Sequence, residues 1–216
     1  MKEEKMMHKF DWREVERDEY SRSEEPSFVK LTTRSYITAM GVAPDRVTDQ
    51  AFTSLAAAVT QIAERISEGP DAGIDIPNFK AYHPYPLQAV WSGGDKISKR
   101  HIFRLWLKQP LFIHEDQFEA ALTQLHFEPA IAQQLHLEQL AEGFEIQSFN
   151  STPLTDEAPA IARIQTVINR DHLVPKFDDR HREVYLEGYQ GEVPVLYRVP
   201  LDENFGEVGD EQVAYN

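Results

Sequence analysis

The chain has 216 residues, with 36 acidic against 22 basic side chains, a formal net charge of −14 and no cysteine. That length lies between one and two average domains, and the negative field opposes nucleic acid and anionic lipid while gathering cations. Without thiols there are no disulfides, no thiolate metal sites and no cysteine nucleophile.

No stretch approaches the roughly 20 apolar residues that cross a bilayer, and Met1 to His8 has no apolar core of a secretory signal. The expectation is a soluble, cytoplasmic protein that contacts neither membrane nor nucleic acid directly. Residues 1 to 25 are highly charged, and Phe10, Trp12, Val15 and Tyr20 fall at spacings that make no helical stripe. They predict an arm or short helix pinned by its aromatics. From Pro26 the composition turns to β, in Phe28 to Thr32 and Tyr36 to Met40, closed by Gly41 and Pro44.

Phe52, Leu55, Val59, Ile62 and Ile66 then recur at intervals of three and four, behind a cap at Thr48 or Asp49 and ahead of Gly69-Pro70. This pattern predicts an amphipathic helix. Extended segments follow at Phe79 to His83, Leu87 to Trp91 and His101 to Gln109, the last two joined by a turn at Ser92-Gly93-Gly94-Asp95. That turn lacks the Gly-x4-Gly-Lys-Ser/Thr spacing of a phosphate loop. A second helix is predicted over Glu115 to Phe127, and Pro129 starts a shorter helical piece through His136.

Glu138 to Phe149 alternates as a strand. A helix capped by Thr155 or Asp156, with Pro159 in its first turn, carries Ala160, Ile161, Ile164, Val167 and Ile168 on its apolar side. Strands at Glu183 to Glu187 and Val193 to Val199 complete the pattern. The expected organisation is an arm over 1–25, one domain over 26–201 and an acidic tail over 202–216. Within the domain, halves at about 26–112 and 137–201 flank a helical connector at 113–136.

Both halves run strand region, amphipathic helix, closing hairpin. Each would bury one face beneath its helix, and the free faces would meet around a pseudo-two-fold cleft of the kind that takes ligands. Strict alternation over 181–187 turns Val184 and Leu186 toward the helices and leaves Glu183, Tyr185 and Glu187 on the other face. In 101–109 the same test puts Phe103, Leu105 and Leu107 beneath the helices and Arg104, Trp106 and Lys108 opposite. A cationic and aromatic trio of this kind is either a partly covered ligand surface or a packing contact between Arg104 and Trp106. Trp91 stands at a strand end beside a turn. Glu157 is either a pocket residue or, the favoured reading, a first-turn glutamate stabilised by the helix dipole. The eight histidines are scattered without metal-ligand spacing, and no Gly-x-Ser-x-Gly is present, so neither a metal nor a cofactor is expected.

Five segments in this order carry a resemblance: Lys9-Phe10-Asp11-Trp12-Arg13, Pro86-Leu87-Gln88-Ala89-Val90-Trp91, Leu107-Lys108-Gln109-Pro110, Pro153 to Ala160, and His181-Arg182-Glu183-Val184-Tyr185-Leu186. Over about residues 9 to 201 the chain resembles the stand-alone branch of the GyrI-like small-molecule-binding family. The resemblance implies an α+β fold of duplicated βαββ units, forming a pseudo-two-fold antiparallel sheet with helices on one face and a ligand cleft between the halves. It implies Glu183 as the pocket glutamate, Tyr185 as its neighbouring tyrosine and Trp91 as the pocket tryptophan. Relatives in that family bind bulky aromatic or cationic compounds, and some stand-alone members hydrolyse cyclopropane-bearing alkylating natural products.

Two functions follow from the residues and the resemblance together. In the first, Glu183, Tyr185, Trp91, Trp106 and Arg104 line a pocket for aromatic or cationic small molecules, in drug or toxin sequestration or sensing. In the second, Glu183 is a general base with Tyr185 as hydrogen-bond donor in a cyclopropanoid hydrolase.

Overall fold

The computed structural model describes residues 9–46, 48–95, 100–152 and 159–202. The expected cap at Thr155 or Asp156, Glu157 and the acidic tail beyond Asp202 lie outside the described residues.

A single antiparallel sheet of eight strands organises the molecule. In chain order its strands are β1 (Ser27–Leu31), β2 (Arg34–Ala43), β3 (Leu87–Asp95), β4 (Arg100–Gln109), β5 (His136–Leu140), β6 (Gly143–Asn150), β7 (His181–Val184) and β8 (Val195–Pro200). The helix α1 (Trp12–Val15) precedes them, and between them lie α2 (Gln50–Glu68), α3 (Glu115–Leu125), α4 (Pro129–Ala132) and α5 (Pro159–Arg170). Across the sheet the order is β1-β6-β8-β7-β3-β4-β2-β5.

That order is symmetric about the β7–β3 junction. Exchanging β1 with β5, β2 with β6, β3 with β7 and β4 with β8 leaves it unchanged. Each βαββ unit, β2-α2-β3-β4 or β6-α5-β7-β8, forms half of the sheet, and each half receives its edge strand from the segment leading into the other. The halves therefore join edge to edge through β3 and β7, with Ala89 opposite Glu183 and Trp91 opposite His181.

The α2 prediction holds closely. Asp49 accepts from Ala51 N at 2.8 Å as the N-cap, and Phe52, Leu55, Val59, Ile62 and Ile66 are all buried. Each such side chain contributes about 1.5–3 kcal/mol on removal from water. The helix stops at Gly69, where φ is +54° and a Cβ would lie 2.7 Å from the Phe79 ring. Both the backbone and the space there demand glycine. On α5, Ala160, Ile164 and Ile168 are the buried positions of the predicted apolar side.

Other elements differ. Phe79 to His83 joins no strand of the sheet; its Ala81 carbonyl and His83 amide pair instead with Phe10 of the N-terminal arm, at 2.8 and 2.9 Å. Pro84 and Pro86 close this stretch and remove the donors a ladder would need. The single strand expected over Glu138 to Phe149 is two, β5 and β6, broken at Ala141-Glu142 before Gly143 with φ +87°. The strand pattern continues through the break because Glu142 is itself buried.

Those short links bend the sheet. β1 and β2 stand first and seventh across it, which in a flat sheet would separate them by roughly 29 Å at about 4.8 Å per strand. Only Thr32 and Thr33 connect them, a reach of about 11 Å. Ala141-Glu142 ties β5 to β6 in the same way. The sheet therefore curls, with α2 and α5 on its outer face. The inner face carries the fully buried polar side chains Gln88, Glu145, Gln147 and Arg198.

The N-terminal arm fills part of that concavity. Asp11 caps the one-turn α1, Trp12 and Tyr20 are buried with ring centroids 4.7 Å apart, and the Trp12 indole donates to Pro84 O at 2.9 Å. Glu16 and Glu19 of the arm accept from Lys108 Nζ at 2.7 and 3.3 Å. Burial lowers the Lys108 pKa, against the opposing pull of Glu19 and Glu16.

Candidate functional site

Strand partners placed directly opposite share a face. Ala89 and Trp91 face the helices, since Trp91 stacks on Phe52 of α2 at 5.4 Å. Their partners Glu183 and His181 therefore face the helices too, together with Tyr197, which stands opposite Glu183 on β8. This reverses the sequence expectation for β7. Val184 and Leu186 point into the concave side, where Leu186 lines a small pocket together with Trp12 and Tyr20 of the arm. The expectation fails for a physical reason: alternation decides which residues share a face, and with both faces covered the apolar pair no longer marks the helix side.

Glu183 is the hub of a polar cluster on the outer, helix-covered face. Its Oε2 accepts from the Tyr185 hydroxyl at 2.8 Å and lies 3.3 Å from Arg46 Nε, while Oε1 is 3.5 Å from His181 Nε2. The Arg46 guanidinium also stands over the Tyr185 ring, 5.3 Å from its centroid, and donates to Gly191 O at 2.8 Å. The Glu183 and Arg46 side chains are only 12% and 9% exposed, so the pair is almost closed off from solvent. Burial first, then the Glu183 charge, pushes the Tyr185 hydroxyl well above its ordinary pKa. The same causes, in the same order, raise Tyr197. Both phenols are neutral donors at any physiological pH.

Aromatic faces enclose the other sides. Phe52 packs edge-on against Tyr185 at 6.4 Å and against Phe103 at 5.1 Å, beside its stack on Trp91. The residues Glu183, Tyr185 and Trp91, separated by up to ninety-odd positions, are thus brought together in one cluster around Phe52. Sequence reasoning missed Arg46 and Tyr197. Arg46 sits in the loop between β2 and α2, where no periodicity applies, and the single cue was its place at the entry to the long helix. Tyr197 was hidden in a strand that is apolar apart from Arg198.

Trp106 and Arg104 do not join this site. They lie on the concave face, where Arg104 Nη2 donates to Glu138 at 2.5 Å and the Trp106 ring packs under Arg182 at 4.4 Å and beside Tyr36 at 5.5 Å. The Arg104 and Trp106 side chains do approach each other, at 5.9 Å. Among the described residues, no group of three His, Asp or Glu side chains is placed to hold a metal ion, and no helix is long and apolar enough to cross a membrane.

The symmetric antiparallel sheet with its two helices on one face is a GyrI-like fold. The solved structures that it resembles include a hydrolase from Listeria innocua, with a TM-score of 0.77 at 17% identity over 90% of this chain and 100% of that one. An uncharacterized conserved protein from Listeria innocua gives 0.77 at 18% identity with the same coverage. The EcmrR chain of an EcmrR–DNA complex gives 0.51 at 10% identity, over 88% of this chain and 62% of that one. At these identities the likeness is one of fold. No family model matches the sequence, and no curated protein does either.

Proposed function

We propose that the chain is a GyrI-like small-molecule-binding protein whose outer cleft takes bulky aromatic cations, for sequestration or sensing of such compounds. Glu183 supplies the charge, and Tyr185 and Trp91 supply aromatic faces. The observation that carries this reading is Arg46: the cleft already holds a cation on a carboxylate and over an aromatic ring, as such a ligand would lie. Arg46 is an internal occupant that an incoming cation displaces, and the protein's net negative charge concentrates cations at its surface. Trp106 and Arg104, expected in the same pocket, contribute nothing to it, because both side chains face the concave side of the sheet.

The test is tryptophan fluorescence of wild type and Glu183→Gln titrated with tetraphenylphosphonium. Saturable quenching of wild type with at least tenfold weaker binding by the variant is expected. Equal affinity in the two proteins would remove Glu183 from the site.

A second reading rests on the hydrogen bond between Tyr185 and Glu183. With Arg46 displaced, that carboxylate can take a proton from water while the phenol donates to a developing oxyanion. On a spiro-cyclopropyl dienone, water oxygen would bond to the ring methylene and the strained C–C bond would break. Its electron pair would enter the dienone, which becomes a phenol on protonation. A gain of one water by such a compound with wild type, and none with Glu183→Gln, is the outcome this reading requires.

A further inference from the structure

The concave face holds a second chamber, on the opposite side of β7 from Glu183. It is a cavity of about 300 Å³ whose lining includes Arg104, Trp106, Glu142, Glu145, Lys176 and Arg182, at the lower end of the size range of small-molecule pockets. Its floor is built rather than accidental. Arg182 is 2% exposed and Glu145 fully buried; Arg182 Nη2 pairs with Glu145 Oε1 at 2.8 Å, and Nη1 pairs with Glu142. After these pairings, polar atoms remain. Trp106 Nε1, Arg182 Nε, Glu142 Oε1 and Glu145 Oε2 are buried with no hydrogen-bond partner among the described residues. Leaving such groups unmatched costs about 1–3 kcal/mol each.

These atoms describe the complementary ligand. Two are donors, an indole N–H and a guanidinium N–H, and two are carboxyl oxygens, one each from Glu142 and Glu145. The mouth is apolar, with the exposed side chains of Met40, Ile102 and Phe177 around it. A fitting molecule has an apolar body and a head that accepts and donates side by side. We propose that this cavity is a second small-molecule site, separate from the Glu183 cleft, that takes planar carboxamides or lactams, their carbonyl facing Trp106 and Arg182 and their N–H facing Glu145.

The charge balance of the floor favours a neutral head. Two carboxylates share one guanidinium, and burial raises Glu142 to about 8 and Glu145 to about 7, the Glu145 charge adding to the rise at Glu142. Arg198 opposes the rise at both, Lys176 opposes it at Glu145 and Arg34 at Glu142, while Glu19 adds to it. One proton therefore resides on the pair near neutrality, and Arg182 is balanced by a single negative charge. A charged head would have to break that balance in a buried site.

Three isosteric probes separate the alternatives: 2-naphthamide, 2-naphthoate and 2-naphthamidine. The protein has three tryptophans, so their indole N–H resonances in a ¹⁵N-correlated spectrum report on the arm (Trp12), the outer cleft (Trp91) and the inner cavity (Trp106). The expected result is that 2-naphthamide moves the Trp106 resonance and binds at least tenfold more tightly than either charged isostere. Trp106→Phe, which keeps a ring and deletes the donor, should weaken the amide about tenfold with the melting temperature near that of wild type. Equal or tighter binding of the naphthoate or the amidine overturns the assignment. So does movement of the Trp91 resonance alone, or no response to any of the three probes. None of these outcomes bears on tetraphenylphosphonium binding at Glu183, which stands or falls separately.

Discussion

Arg182 and Glu183 are neighbours in sequence, and β7 sends them to opposite faces of the sheet, where each meets opposite charge under different terms. Outside, one carboxylate faces one guanidinium, with Arg46 reaching it from a loop and both groups keeping a remnant of solvent contact, 12% and 9%. Inside, one guanidinium faces two carboxylates, with Arg182 3% exposed and both partners closed off completely. The outer pair is held on one side by a loop residue, and the proposed binding exchanges that residue for a ligand cation. The inner triad is fixed by sheet strands and the link between two of them, and exchange would strand buried charge. The comparison separates a charge pair with a loop residue on one side from a triad that stays in place, holds the curl of the sheet together and leaves only its unused donors and acceptors to a neutral head.

The largest expected effect breaks the inner arrangement. Arg182→Met leaves Glu142 and Glu145 without their cation and should lower stability by about 3–5 kcal/mol, measured by urea unfolding. A loss under about 1 kcal/mol would show that the triad does not hold the fold.

A pH effect of the same triad comes next. The folded-state pKa values of Glu142 and Glu145, about 8 and about 7, exceed the ordinary 4.5. In that interval the folded protein holds protons that the unfolded chain has released. Stability is therefore highest below about pH 4.5 as far as these groups are concerned, and falls as pH rises to 7 or 8, by at most about 1.4 kcal/mol per pH unit for each group. Glu142→Gln mimics the protonated acid and should flatten this slope in thermal melts between about pH 5 and 8. An unchanged slope would place the proton elsewhere.

The outer pair should respond more weakly in stability and more strongly in binding. Glu183→Gln keeps the hydrogen bond from Tyr185 and should cost less than about 1 kcal/mol of stability, while its loss of at least tenfold in ligand affinity corresponds to about 1.4 kcal/mol. Chemical denaturation and the fluorescence titration on the same preparation measure both.

The legible parts of this molecule were those where one physical signal acts alone. The α2 stripe from Phe52 to Ile66, its Asp49 cap and its Gly69 stop needed only local chemistry. The order of elements, repeated in both halves, carried the pseudo-symmetry. Glu183, Tyr185 and Trp91, which the resemblance groups, lie near one another around Phe52. Where two signals compete, reading failed. Trp106 and Arg104 alternate correctly along β4 but share no face with Glu183, because the polar side of β4 and the apolar side of β7 both turn inward. That concave face collects Lys108, Arg182 and Arg198 as well as Val184, and the arm that covers it lies more than eighty residues away in sequence. The break at Ala141-Glu142 was invisible because a buried glutamate continued the strand pattern, and Arg46 because its position is fixed by tertiary contacts with Glu183 and Gly191.

The central claim is that Arg46 occupies the place of a ligand cation on Glu183. Titration calorimetry of Arg46→Ala with tetraphenylphosphonium tests it most directly, since removing an internal competitor must strengthen binding while removing a mere structural brace would not. Affinity about tenfold tighter than wild type, lost again in the Arg46→Ala/Glu183→Gln double variant, is the predicted result. Affinity equal to or weaker than wild type in a folded Arg46→Ala protein would contradict the account.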